Sequence, residues 1–432
     1  MIVGIQPCSL AGTIAVPPSK SMAHRMLICA ALAGGVSAVR NLQYSLDIST
    51  TIAAMRQLGA QFAQTPNGQQ VTGAATLQAP KEAVFCAESG STLRFIIPLF
   101  ALTGQPVTFA GAARLMERPL GVYQQIFEGQ GLPFAQQNGQ LTLQGPLQAG
   151  NYALAGNVSS QFISGLLLAL PLLAKSSTLR ILPPFESSAY VELTRRAQAL
   201  FGVHSEWQGE HTLFIPGGQA YTPANCTVEG DWSQAAVPAV LAAVRGGIAV
   251  AGLNADSAQG DRAALSVLQA CGAEVGWQNG LLRVQPPAEG LHSPGEVDLA
   301  GCPDLGPILC TLALFCKGTT RFVNAGRLRI KESDRIATIE QELTRLGGHV
   351  SSGAGSIAVE GGFPLTGTGQ ACSHNDHRVV MALTAAALGA GVAVSIHGAE
   401  AICKSWPSFF DDFSALGADI QAEECPAERR AP

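Results

Sequence analysis

The chain has 432 residues, 47% hydrophobic and 13% charged, with a formal net charge of −5. That length and apolar content support large cores and two domains. The acidic balance speaks against a nucleic-acid binder, and abundant glycine with few charges excludes a disordered chain.

Along the chain, one arrangement is predicted six times: a strand, a small polar loop, then an apolar helix. The copies are IAVPPSKSMAHRMLICA from residue 14, AVFCAESGSTLRFIIPL from 83, ALAGNVSSQFISGLLLA from 153, TVEGDWSQAAVPAVLAA from 227, VDLAGCPDLGPILCTLA from 297 and CSHNDHRVVMALTAAA from 372. A second signature, helix end then Gly then strand, keeps the same period. It reads RQLGAQF, EGQGLPF, QALFGVH, QACGAEV, TRLGGHV and SALGADI, with glycines at 59, 131, 202, 272, 347 and 417. Glycine suits the left-handed residue that closes a helix. Two signatures in phase through six copies read as six βα-containing units, most ending in a hairpin.

Each polar loop ends at a helix N-terminus, where unpaired N–H groups and the helix dipole favour anions. Small residues there (Ser19, Ser21, Ser89, Gly90, Ser91, Ser159, Ser160 and Ser233) let a ligand approach the backbone. The same loops carry Lys20, Arg25, Arg94, Gln161, His377 and Arg378. Lys20 is one of only six lysines. These loops are expected to converge on a strongly anionic ligand set.

Further clusters follow. GRLRIKESDRI, residues 326 to 336, is the densest charge run; it reads either as a solvated helix start with i,i+3 and i,i+4 ion pairs or as an anion and proton-transfer site. RLMERPLG puts Arg118 in a loop, where arginine is usually solvated, and CKSWPSFF puts Lys404 in a turn, where lysine is usually at the surface. His374 and His377 in HNDHR lack an evident third metal ligand, so no metal is expected. Dinucleotide, P-loop and nucleophile-elbow motifs are absent. The eleven cysteines include no Cys-x-x-Cys pair, which fits reduced thiols in a cytosol. No leader-like segment opens the chain, no apolar run reads as a bilayer span, and AEECPAERRAP reads as a frayed tail.

Together these motifs resemble the 5-enolpyruvylshikimate-3-phosphate synthase family (3-phosphoshikimate 1-carboxyvinyltransferases), within the enolpyruvyl transferase superfamily. PPSKSMAHR resembles the family's PxSKSxxxR, ESGSTLRF its N-[AS]-G-T-x-x-R loop, and MERPLG its [KE]RP[IL]G. NVSSQFISGLLLA, RIKESDRI, NDHRVVMA and CKSWPSFF resemble its remaining motifs, in order. The resemblance implies an α/β protein of two similar domains, each of three βαβαββ repeats, inverse α/β barrel-like, with the ligand site in the interdomain cleft. Domain one would be residues 1–18 plus 229–432, and domain two residues 19–228.

The implied reaction moves the enolpyruvyl group of phosphoenolpyruvate to the 5-hydroxyl of shikimate 3-phosphate and releases phosphate. No metal, organic cofactor, nucleic acid or membrane is implied, and a cytoplasmic monomer is expected. The resemblance assigns phosphoenolpyruvate to Lys20, Gly90, Arg118, Gln161, Arg335, Arg378 and Lys404. It assigns shikimate 3-phosphate to Ser21, Arg25, Ser159, Ser160, Gln161, Ser187, Tyr190, Asp304 and Lys331. Asp304 is the implied base on the hydroxyl, with Glu332 and Lys20 the candidates near the methylene carbon.

Three positions depart from the family pattern. Glu88 stands where Asn is frequent and would repel an anionic substrate unless Arg118 or a neighbour pairs with it. Arg327 stands where Asn is common, and Ser91 replaces Thr. Two alternatives stay open: a transferase of the same group to UDP-N-acetylglucosamine, and a catalytically silent anion-binding protein. PSKSMAHR in place of GAKN, and no cysteine in RLMERP, speak against the first. Intact Lys20, Asp304, Glu332 and Lys404 speak against the second.

Overall fold

The structure, a computed structural model, describes residues 1–423. The chain divides into two compact units, Met1–Pro17 with Gly230–Pro432, and Pro18–Glu229. Among the described residues six four-stranded sheets form, each with one parallel and two antiparallel pairings. In the unit Pro18–Glu229, Asn151–Ala155 runs parallel to Ser177–Leu182, which pairs antiparallel with Thr212–Ile215 and through it with Glu206–Trp207. Val84–Phe85, Pro106–Ala110, Gln140–Gln144 and Phe134–Gln137 repeat that order. The third sheet takes its parallel strand, Asn225–Thr227, from the far end of the unit.

The other unit closes in a similar way. Gly12–Ala15 supplies the parallel strand beside Ile248–Ala251, and Ile2–Gln6 lies between Val394–His397 and Asp419–Glu423. The N-terminal segment thus completes two sheets whose remaining strands come after residue 229. The predicted tail is corrected at its start: Ala422 and Glu423 belong to a paired strand, and the rest of it lies outside the described residues.

The six signature glycines all lie at positive φ, between 68° and 112°. Each turns the chain from a helix end into a strand at the backbone angle that L side chains rarely adopt. Two helices accompany each sheet. The first of each pair is buried almost along its whole length. In Lys20–Leu32 only Lys20 and Ser21 escape burial, in Gly90–Ala101 only Ser91, and in Ser160–Ala169 only Gln161. Apolar all round, these helices pack against one another as a core, and the residues left accessible are those of the first turn. Among the described residues no helix is long and apolar enough to cross a membrane.

Candidate active site

In the unit Pro18–Glu229, Ser19 caps the helix Lys20–Leu32 by accepting from the Met22 N–H. Lys20, the first helical residue, donates to Asp47 at 2.9 Å. Asp47 sits in the first turn of the next helix, so by sequence alone it reads as an ordinary dipole-stabilising acid. One turn on from Lys20, His24 is buried and hydrogen-bonded to Thr51 at 2.7 Å. Thr51 meets Thr92, and Thr92 donates to Ser89. This chain of hydroxyls ties the Lys20 helix to the cap of the Gly90 helix. Burial, with Lys20 and Arg25 adding to it, holds the His24 pKa well below its ordinary value.

Gly90, Arg94, Arg118 and Gln161 converge. A Cβ on Gly90 would stand 2.8 Å from Arg118 Nη1, 3.2 Å from Arg94 Nη1 and 3.8 Å from Gln161 Oε1. Arg94 donates to Gln161 Oε1 at 2.7 Å, and Gln161 donates to Ser91 Oγ at 2.9 Å. Pro98, inside the Gly90 helix, has no N–H for the carbonyl of Arg94 one turn earlier. The Tyr123 hydroxyl donates to that carbonyl instead, at 2.6 Å. Gly165 makes room for it: a Cβ there would come within 2.2 Å of the Tyr123 hydroxyl oxygen.

The loop arginine Arg118, expected to be solvated, is only 8% exposed. Among the described residues its guanidinium has no hydrogen-bond partner, and its buried Nε is unsatisfied. It therefore does not neutralise Glu88. A buried N–H without an acceptor is costly, and the remaining donors of this guanidinium suit a bound carboxylate or phosphate.

Arg25 is placed differently from a ligand-facing cation. It is buried, with Nε on Thr194 Oγ1 at 2.7 Å, Nη1 on the Ser21 carbonyl at 2.7 Å, and Nη2 on Ser164 Oγ at 3.2 Å and the Tyr190 carbonyl at 3.0 Å. Four acceptors use most of its five donors. Burial pulls its pKa down to about 10, so it remains charged at neutral pH. Ser187 starts the helix that carries Tyr190 and adopts the left-handed region at φ 53°. Ser159 caps the helix of Ser160 by accepting from the Gln161 N–H.

In the other unit, Asp304 is ringed by cations. Its Oδ1 accepts from Lys331 at 3.1 Å and Arg335 at 3.0 Å, and its Oδ2 accepts from Arg378 at 3.4 Å. Burial would raise the Asp304 pKa, but Lys331, Arg378 and Arg335 together hold it well below the usual carboxylate range. Burial pulls the Lys331 pKa down, partly offset by Asp304. Arg335, 1% exposed, also donates to Glu332 at 2.7 Å and grips Asp376 through Nε and Nη2 at 2.8 and 3.1 Å. The charge run 326–336 is thus no simple solvated helix start, although Arg329 and Asp334 do pair near the surface. Arg327 donates to the Ala300 carbonyl at 2.6 Å.

Arg378 donates to Ser233 Oγ at 2.8 Å, and Ser233 donates to Asp231 at 2.6 Å. Lys404, expected at the surface, is 7% exposed, and its ammonium lies 2.6 Å from the Asn375 carbonyl. Sequence reasoning missed Asp47, Tyr123, Thr194, Ser164 and the anchoring role of Asp376. Of these only Asp376 carried a signal, being an acid wedged between polar and basic residues in HNDHR. Among the described residues no group of three His, Cys, Asp or Glu side chains could hold a metal ion.

The fold is shared with solved enolpyruvyl transferases. EPSP synthase from Acinetobacter baumannii matches with a TM-score of 0.79 at 23% identity, covering 98% of this chain and 100% of that one. The enolpyruvyl transferase NikO from Streptomyces tendae matches with a TM-score of 0.80 at 17% identity, covering 98% and 99%. Sequence narrows the class. The 3-phosphoshikimate 1-carboxyvinyltransferase of Clostridium kluyveri is 41% identical over 421 residues, 97% of this chain and 98% of that protein. The one from Clostridium beijerinckii is 40% identical over 423 residues, 96% and 97%. The family model described as EPSP synthase (3-phosphoshikimate 1-carboxyvinyltransferase) matches residues 5–413, and the chain belongs to that family.

Proposed function

We propose that the chain transfers the enolpyruvyl group of phosphoenolpyruvate to the 5-hydroxyl of shikimate 3-phosphate. The products are 5-enolpyruvylshikimate 3-phosphate and phosphate, on the pathway to chorismate and the aromatic amino acids. The observation that carries this reading is Asp304 held among Lys331, Arg335 and Arg378. A proton acceptor inside a ring of cations suits a substrate pair that brings two phosphates and two carboxylates.

Asp304 takes the proton of the attacking hydroxyl. A carboxylate held this strongly is a weak base, so its basicity must rise as the reaction is set up. Substrate anions supply the means: once they engage Lys331, Arg335 and Arg378, those cations hold Asp304 less tightly. The hydroxyl oxygen bonds to C2 of phosphoenolpyruvate while a proton reaches its methylene carbon from Glu332 or Lys20. Glu332 accepts from Arg335 at 2.7 Å through Oε2. The tetrahedral adduct then loses phosphate and returns a methyl proton, giving the enolpyruvyl ether.

Phosphoenolpyruvate is held by Lys20, Gly90, Arg118, Gln161, Arg335, Arg378 and Lys404. The open donors of Arg118 and the small side of Gly90 support that set. Shikimate 3-phosphate is held by Ser21, Ser159, Ser160, Gln161, Ser187, Tyr190, Asp304 and Lys331, with Arg25 pinning the helix that carries Tyr190. We place the monomer in the cytoplasm, where its ten described free cysteines stay reduced.

The test is phosphate release from phosphoenolpyruvate by the purified chain, with shikimate 3-phosphate or UDP-N-acetylglucosamine as acceptor. Release with shikimate 3-phosphate alone is the expected result. Release with the sugar nucleotide alone, or with neither in a folded sample, would overturn the reading.

A further inference from the structure

Glu342 is fully buried, and the chemistry above makes no use of it. It lies on the helix Arg335–Arg345, seven residues after Arg335 and therefore on the same face. Both its oxygens are engaged. Oε2 accepts from the Cys372 N–H at 2.9 Å and from Arg345 at 3.2 Å, and Oε1 lies 2.9 Å from His374 Nε2. Cys372 and His374 bracket the entry to the loop that leads into the helix His377–Ala390.

That loop passes through the left-handed region, which non-glycine residues enter uncommonly. His374 and Asn375 are consecutive and both left-handed, at φ 50° and 57°. Asparagine and histidine are among the side chains that enter this region most often, but two such residues in succession need support from their surroundings. Ser373 supports the turn by accepting from the Asn375 N–H at 3.1 Å and donating to the Gly398 carbonyl at 2.7 Å. Three of the next four residues serve the cation cluster. The Asn375 carbonyl takes the Lys404 ammonium, Asp376 grips Arg335, and Arg378 reaches Asp304.

We infer that Glu342 is a positioning residue for phosphoenolpyruvate. By holding Cys372 and His374 it fixes the left-handed turn, and the turn sets where the Asn375 carbonyl puts Lys404 and how Asp376 holds Arg335. The inference rests on the reading that Lys404 and Arg335 bind phosphoenolpyruvate. It adds a buried acid that touches neither substrate but ties both cations to one helix.

Steady-state constants for each substrate, thermal unfolding and calorimetric binding of phosphoenolpyruvate test it on the full chain. The variants are Glu342→Gln, Glu342→Ala, His374→Gly, Lys404→Ala and the His374→Gly/Lys404→Ala double. His374→Gly removes the imidazole while keeping a residue that accepts the backbone angle, so it remains readable if Glu342→Ala does not fold. It should raise the KM for phosphoenolpyruvate by about 3–10-fold and leave that for shikimate 3-phosphate within about two-fold. Glu342→Ala should do more, and Glu342→Gln less, because the amide keeps one acceptor oxygen for the Cys372 N–H.

In the Lys404→Ala background, His374→Gly should raise the phosphoenolpyruvate KM by clearly less than it does alone, because the part of its effect that runs through the Lys404 ammonium is gone and only the part through Arg335 remains. Full additivity there, an unchanged KM in His374→Gly, or equal rises for both substrates that follow a fall in Tm would each overturn the inference. If the unaltered chain bound phosphoenolpyruvate but never turned over, the functional reading would fail. The binding constants would then still decide the role of Glu342.

Discussion

Gly90→Ala isolates the contact between the Gly90 helix and Arg118. The new methyl would lie 2.8 Å from Arg118 Nη1, against an ordinary van der Waals separation of about 3.5 Å. The guanidinium must therefore retreat by roughly 0.7 Å, and as the end of a flexible side chain it can do so cheaply. Folding should be unharmed, since Gly90 lies outside the left-handed region and alanine there adds up to about 1 kcal/mol through the unfolded chain. Binding should suffer. A hydrogen bond to a charged group contributes about 1.5–3 kcal/mol. Loss of about half, roughly 1 kcal/mol, weakens phosphoenolpyruvate about five-fold, and complete loss, roughly 2 kcal/mol, weakens it about thirty-fold. The assay is phosphate release at varied phosphoenolpyruvate and saturating shikimate 3-phosphate, with Tm measured alongside. A KM equal to that of the unaltered chain, with Tm preserved, would show that Arg118 does not bind this substrate where Gly90 leaves room.

Three further outcomes are expected. Lys20→Met should lower kcat by about 100-fold or more, since the ammonium serves binding and chemistry together; near-normal turnover would remove Lys20 from the mechanism. Arg25→Ala should cost about 3–5 kcal/mol in denaturant unfolding, because it strands buried partners on two hydroxyls and two carbonyls. A loss below about 1 kcal/mol with a raised KM for shikimate 3-phosphate would make Arg25 a ligand instead. Asp304→Asn should show a pH-dependent stability gap. Ionised Asp304 is stabilised in the fold, so its contribution is complete above the unfolded carboxyl pKa of about 3.9 and is lost as pH falls below that towards the folded value. The gap in unfolding free energy should be flat from neutral pH to about 5 and narrow below about 4; a gap that widened on acidification would contradict the sign of the shift.

Much of the architecture was legible in the chain because repetition amplifies weak signals. One glycine after one helix says little, but six at a spacing of 70 to 75 residues define a unit, and each of the six does take the positive φ that a side chain would resist. The polar first turns were legible for a related reason. In helices that are apolar all round, a serine, lysine or glutamine at the start has no core to join, and Lys20, Ser21, Ser91 and Gln161 are the residues left accessible.

What the sequence determined by itself was the six-fold unit, its polar helix starts and the family. These are local patterns, set by helix period, capping and the conformational freedom of glycine, and they need no knowledge of neighbours. Only the tertiary structure decided which charges are paired and which stay open. Arg25 and Arg118 look alike in sequence, each an arginine beside a polar loop. One is consumed by four acceptors from residues up to 169 positions away, and the other has none among the described residues. Lys404 and Glu342 were invisible as buried groups for the same reason. Burial and hydrogen bonding depend on which distant segments pack together, and a side chain's environment is set by that packing rather than by its neighbours along the chain.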